Sequence, residues 1–333
     1  MSSSGEPCVL ITIPISHYCE KARWALDRVG VRYREQAHLQ LIHWLAARRA
    51  AGGTTVPVLV CGSRVLADSA DIVDEADATA RPGQRLYPDD PSAAAEVRAL
   101  QRDFDTNLGP HGRRWMYNEM RGRRDLAIAY GCTGVPAWER RALALTYPAV
   151  IRVIDRFLDI TTATAAQSEA QVRMTFDTVA NRLSDDRPYL CGDRFTAADL
   201  TFAALAASVL MPPEYGVPLP QPEELPVAMA AAVREFRAHP AGAYALAMFR
   251  EERRLKRAAG SAPAADADGS HIAPTPRLEC FHFHVPREPA GRSVGLPKIA
   301  SAAGFEPATF GLREALKPFG GLMLSDARHA EIT

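Results

Sequence analysis

Short apolar runs alternate with stretches of helical periodicity over the first eighty or so positions. Cys8-Val9-Leu10-Ile11-Thr12-Ile13 is brief and β-branched, which predicts a buried strand. Tyr18, Ala22, Ala25, Leu26 and Val29 then recur at helical spacing, while Glu20, Lys21, Arg23, Asp27 and Arg28 fall mostly elsewhere on the wheel. This predicts an amphipathic helix with one packed and one solvated face, ending at Gly30. Val31 to Leu39 predicts a second strand, and Leu41 to Ala51 a short helix stopped by Gly52-Gly53. Thr54 to Gly62 predicts a third strand that starts with Val56-Pro57, since proline lacks the amide a central strand position needs. Arg64 to Ser69 reads as its hairpin partner, and Asp68-Ser69 opens a further helix over Ala70 to Ala78.

After Arg81-Pro82-Gly83 the pattern turns alanine-rich and helical. Residues 81–91, with Pro88-Asp89-Asp90-Pro91, read as a linker between a 1–80 domain and an all-helical 92–257 domain. Ser92 opens a helix that Gly109-Pro110 is expected to interrupt; Trp138 to Ile160 forms a second, bent near Pro148, and Gln167 to Leu183 a third. Thr196 and Asp199 have the N-cap and N3 spacing of a capping box, with Asp in place of the usual Glu. Residues 258–333 show no sustained period: Ala259 to Ser270 is built of small and polar residues, and prolines recur from Pro274 onward. They are expected to form a disordered extension.

Composition narrows the classes. A chain of 333 residues is long enough for two cores. Its 39 Lys and Arg balance 39 Asp and Glu, so no overall field points to nucleic acid. Six cysteines lack paired short spacings, which predicts reduced thiols and a cytoplasmic protein. With no basic leader and no apolar stretch of about eighteen residues, neither secretion nor membrane spanning is expected. Cys280, His282 and His284 alternate on one strand face, but no fourth ligand follows at a metal-site spacing, and no metal is expected.

The candidate chemistry lies at the start of the first helix. Ser16 stands where an N-cap would stand, and free amides with the helix dipole favour an anion there by about 0.3–1 kcal/mol. It reads equally as a plain cap. Cys19, one turn in, is either a thiol of lowered pKa or a small packing residue.

The order β-α-β-α-β-β-α resembles the thioredoxin fold, with a mixed four-stranded sheet. Ser16-His17-Tyr18-Cys19-Glu20-Lys21-Ala22-Arg23-Trp24-Ala25-Leu26, Val56-Pro57-Val58-Leu59 and Asp68-Ser69, in this order, resemble the glutathione-binding domain of the glutathione S-transferase superfamily. Arg187 to Leu200, with the Thr196 and Asp199 box, resembles the capped core helix of that superfamily's helical domain, where Asp199 is structural. The first turn is also similar to a glutaredoxin Cys-Pro-Tyr-Cys turn, with serine and histidine at its first two positions.

The resemblance implies a detoxifying glutathione transferase, or a glutathione-dependent lyase, isomerase or dehalogenase. Ser16 would donate a hydrogen bond to the glutathione sulfur. Val56 would pair its backbone with the cysteinyl part next to Pro57, Asp68 and Ser69 would receive the γ-glutamyl end, and His17 and Thr55 would complete the glutathione-binding set. Thr55 stands where many relatives carry Lys, Arg or Gln; His43, Arg48 and Arg49 are candidates for the missing positive charge. Phe104, His111 and Trp115, with Met116 and Tyr117, would line the pocket for an apolar electrophile, although aromatics at such spacing also read as core; from its charge alone, Arg121 to Arg124 reads either as a solvated loop or as steering an anionic substrate. The resemblance implies glutathione as co-substrate, no permanently bound cofactor, and a homodimer. A glutathione-fold binding protein without turnover is the alternative. A thiol-disulfide oxidoreductase using Cys19 ranks lower, because Ser16 occupies the nucleophile position.

Overall fold

The computed structural model describes residues 7–253. The expectations for residues 258–333, including Cys280, His282 and His284, lie outside them. The order is β1 (Cys8–Thr12), α1 (His17–Val29), β2 (Tyr33–Ala37), α2 (His43–Ala51), β3 (Val58–Cys61), β4 (Arg64–Leu66) and α3 (Ser69–Thr79). The sheet runs β2-β1-β3-β4; β2 is parallel to β1, and the other two pairings are antiparallel. Neighbouring strand residues point to opposite faces. Leu10 and Leu59 therefore pack with Ala22, Leu26 and Ile72 of α1 and α3, while Ile11 and Val58 pack with Ala47 of α2. This is the expected thioredoxin-like half.

One expectation about it is corrected. Cys8 and Cys61 form a disulfide, with their Cα atoms 4.4 Å apart. The antiparallel register that sets Val9 opposite Val60 sets these cysteines opposite each other. A separation of 53 residues along the chain hides that adjacency. Cys19, Cys132 and Cys191 are free thiols.

The second half is helical: α4 (Pro91–Asp103), α5 (Gly109–Glu119), α6 (Arg124–Gly131), α7 (Ala137–Phe157), α8 (Thr162–Arg182), α9 (Ala197–Leu210), α10 (Val227–Ala238) and α11 (Pro240–Glu251). Gly109-Pro110 does not interrupt a helix as expected. A π-helical turn over Phe104–Leu108 carries the chain from α4 into α5, and Pro110 occupies the first turn of α5, where a missing amide costs nothing. Buried α9 is the centre of this half. Thr196 caps it by accepting from the Ala198 amide, and Asp199 accepts from the amides of Thr196 and Leu190, both at 2.7 Å, and from the Tyr244 hydroxyl.

The charged side of α1 departs from the amphipathic reading. Glu20, Lys21 and Arg23 are buried, because the helical half and β2 bring their partners. Lys21 donates to both Asp105 oxygens at 2.7 and 2.8 Å. Arg23 bridges Glu20 and Glu35, at 2.8 and 2.9 Å, and Arg253 donates to Glu20 and Asp27, each at 2.8 Å. A buried charge is tolerable when paired, so a helix with two packed faces can carry the composition of a half-solvated one. Trp24 stacks on Phe195 and lies 4.8 Å from the Phe249 ring, joining α1 to a core that includes Val73 of α3 and Leu200 of α9.

Candidate functional site

Between β1 and α1 the chain makes a tight turn. The Arg23 guanidinium donates to the Pro14 carbonyl at 2.6 Å and the Tyr215 hydroxyl to the Ile15 carbonyl at 3.2 Å, so both halves hold the turn. Ser16 follows as the N-cap of α1 with extended backbone, its Oγ accepting from the Cys19 amide at 3.4 Å. That long bond leaves the hydroxyl weakly engaged at the end of the helix where partial positive charge collects.

A cleft of about 170 Å³ opens over this turn. Ser16, His17, Thr55 and Val56 line it from the first half, together with Gln40, His43 and Trp44. Arg113, Met116 and Tyr117 of α5 and Ile154 and Phe157 of α7 close it from the second. Ile15, Met116 and Tyr117 also line an adjoining apolar cleft of about 80 Å³. Its remaining wall includes Met120, Leu126, Tyr130, Tyr147, Met211 and Tyr215.

Burial sets the protonation of the histidines. His17 is 4% exposed with Nε2 unpartnered; desolvation, aided by the nearby Arg113 charge and opposed by a hydrogen bond with the Gly109 backbone, lowers its pKa to about 3. Desolvation likewise takes His43 down to about 4, against opposing backbone bonds. Both are neutral near pH 7. Burial pushes the Tyr117 hydroxyl up to about 12, so it is a hydrogen-bonding group, donating to nothing described while accepting from the Gln40 amide at 2.7 Å.

Several sequence-predicted positions fall elsewhere. Cys19 is fully buried beneath the turn, and burial raises its thiol pKa despite the Arg23 charge; it is a packing residue, not the accessible low-pKa thiol that redox chemistry needs. Phe104 packs on Phe202 at 5.2 Å, Trp115 packs edge-on against Phe236, and His111 lies 3.1 Å from the Ser168 hydroxyl. These three line neither cleft: Phe104 and Trp115 belong to the core and half-buried His111 lies against α8, whereas positions 113, 116 and 117 face the clefts. Arg48 and Arg49 are exposed and outside the clefts. Arg121 edges the apolar cleft, but it is paired with Asp155 at 3.3 Å; Arg123 pairs with Asp125, and Arg124 donates to the Ala144 carbonyl.

Pro57 is buried behind Val56 across a cis peptide bond. Asp68 is the exposed N-cap of α3, accepting from the Ala70 amide at 2.7 Å, with Ser69 buried beside it; neither lines the two clefts. Sequence reasoning missed Gln40, Trp44, Phe157 and above all Arg113. The available signal was that Gly109, Arg113 and Tyr117 follow at successive turns on one face of α5.

Among solved structures, a glutathione S-transferase from Sinorhizobium meliloti 1021 is 20% identical, with 75% of this chain and 95% of that one covered and a TM-score of 0.47. A theta class glutathione S-transferase from Xanthomonas axonopodis pv. citri, with glutathione bound, is 21% identical over 72% of this chain and 98% of that one, with a TM-score of 0.44. A glutathione S-transferase from Methylobacterium radiotolerans, in complex with glutathione sulfonate, is 16% identical over 80% and 100%, also with a TM-score of 0.44. No curated protein matches the chain. A family model for the glutathione S-transferase N-terminal domain matches residues 10–84, and one for the glutathione S-transferase C-terminal domain matches residues 162–234. One model falls on each half, in family order, so residues 10–84 and 162–234 are assigned to the N- and C-terminal domains of the glutathione S-transferase family.

Proposed function

We propose that the protein is a glutathione transferase that uses Ser16 to hold the glutathione thiolate for attack on an apolar electrophile. The observation that carries this reading is the placement of the Ser16 cap in a cleft that shares a wall with an apolar chamber. In this reading the Val56 backbone pairs with the cysteinyl part of glutathione, beside Pro57. Thr55 and His17 border it, and Asp68 and Ser69 at the start of α3 take the γ-glutamyl end. The thiol proton leaves to solvent and the electron pair stays on sulfur. The thiolate then forms a bond to the electrophilic carbon, whose leaving group departs with its own electron pair. Met116, Tyr117 and Ile15, common to both clefts, bring the two reactants together. The electrophile is an apolar small molecule held against the methionines and tyrosines of the second cleft.

We further propose a glutathione-binding domain of residues 1–80, a linker of 81–91, a helical domain of 92–257, a cytoplasmic location and a homodimer. Light scattering on the eluted protein tests the dimer, and a monomer at micromolar concentration refutes it.

Ser16→Ala is the decisive variant. A hydrogen bond to the charged sulfur is worth roughly one to two pKa units, so turnover near neutral pH is expected to fall about tenfold to a hundredfold, with calorimetric glutathione affinity changed far less. Full activity in Ser16→Ala, lost instead in Cys19→Ser, refutes the serine role. A binding protein without turnover is the second reading. It is favoured by Thr55 at the position where relatives carry a longer polar side chain, with Arg48 and Arg49 outside the clefts. Glutathione binding without conversion across a broad electrophile panel would establish it.

A further inference from the structure

Among the described residues lining the first cleft, Arg113 is the single one with a formal charge. No carboxylate lines it, and His17 and His43 are held neutral. Arg113 itself has no hydrogen bond or ion pair with any described residue, in contrast to its neighbour Arg114, which donates to the Leu158 carbonyl at 3.0 Å and to Ser168 at 3.1 Å. An arginine left unpaired in a partly enclosed cleft is an electrostatic invitation to an anion.

Its position selects which anion. Helix α5 meets the first turn of α1 at Gly109, where an added Cβ would run into the Tyr18 hydroxyl, and His17 bonds to the backbone of the same glycine. Arg113 stands one turn further along that face, close enough for its charge to act on His17, Tyr18 and Tyr117. Ser16 immediately precedes His17 and lines the same cleft.

We propose that Arg113 is the counter-charge of the glutathione thiolate: the Ser16 hydroxyl holds the sulfur from the thioredoxin-like half while the Arg113 guanidinium stabilises its negative charge from the helical half. This rests on the glutathione reading above. The sulfur–hydrogen bond breaks, the proton passes to water, and the electron pair remains on sulfur opposite the guanidinium. The other titratable groups lining the cleft are His17 and Tyr18 from α1, His43 from α2 and Tyr117 from α5; α7 contributes Ile154 and Phe157 and no titratable side chain. The histidines are neutral and burial raises both tyrosines, so Arg113 alone supplies net charge.

The test follows the ultraviolet absorbance of bound glutathione thiolate against pH in the full chain, for the wild type, Arg113→Gln and Arg113→Lys. Loss of the charge is expected to raise the pKa of the bound thiol by roughly one unit, a tenfold fall in the thiolate-to-thiol ratio below that pKa, and Arg113→Lys is expected to restore most of it. Turnover of a neutral electrophile should fall in parallel near neutral pH and recover as pH rises. Affinity for S-methylglutathione, which has no ionisable thiol, should be unchanged.

A titration of Arg113→Gln that superimposes on the wild type overturns the proposal, and so does weakened S-methylglutathione binding with an unmoved thiol pKa, which would assign Arg113 to a carboxylate. Failure of the wild type to bind glutathione at millimolar concentration sinks the glutathione reading, and this inference with it; binding without the Arg113 shift sinks this inference alone.

Discussion

His17 and His43 are buried bases whose protonation the fold opposes, and this has a definite pH signature. Their folded pKa values, about 3 and about 4, lie below the 6.5 of a histidine in the unfolded chain. Below that value the unfolded chain takes up protons that the folded chain refuses. Stability is therefore complete above it and declines as pH falls toward the folded values. Each histidine is expected to remove about 1.5 kcal/mol between the unfolded pKa and about pH 5. Urea unfolding at those two pH values should show the loss, and His17→Asn should diminish it by about that amount; an identical loss in the variant refutes the assignment. At this scale the residues next to a turn were readable, since capping chemistry is local. Ser16, His17 and the Thr196 and Asp199 box are clear from spacing. The choice between a reactive and a packed Cys19 was not, because burial by residues distant in the chain decides it.

Helix α1 shows how an element gains meaning from its neighbours. Its apolar stripe was legible, yet its charged stripe is not solvated: Lys21 is fully buried against Asp105, whose side chain keeps about one-fifth of its exposure. Desolvation lowers Lys21 and raises Asp105, and each pulls the other back toward its charged form. Lys21→Met is expected to destabilise the fold by about 3 kcal/mol, since it strands a largely buried carboxylate. Adding Asp105→Leu should recover much of that loss. Denaturant midpoints of the single and double variants check the prediction, and a double variant no more stable than Lys21→Met refutes it. Hydropathy cannot separate a charge that meets water from one that meets an opposite charge, because both keep it off the apolar face. The same gap displaced Phe104 and Trp115: aromatic residues at helical spacing mark a face, and only the packing of α9 and α10 against them shows that they are core.

Across residues 7–253, the thioredoxin-like and helical halves share one core. Trp24, Val73 and Ala76 belong to the same buried cluster as Trp115, Leu200 and Phe249. Ion pairs from Arg28 to Glu252 and from Arg253 to Glu20 and Asp27 cross between the halves as well. Shared burial couples their stability, so tryptophan fluorescence and far-ultraviolet circular dichroism are expected to report a single coincident unfolding transition. Two resolved transitions would show that the halves fold separately. The order of strands and helices, the Ser16 turn, the α9 cap and the superfamily resemblance were all set by the sequence alone, because periodicity, caps and turns are properties of short segments. The tertiary structure decided the Cys8–Cys61 pairing, the burial of the charged face of α1, and the arrival of Arg113 in the cleft of Ser16. Each depends on distances between residues far apart along the chain, and those distances exist only once sheet register and helix packing have formed.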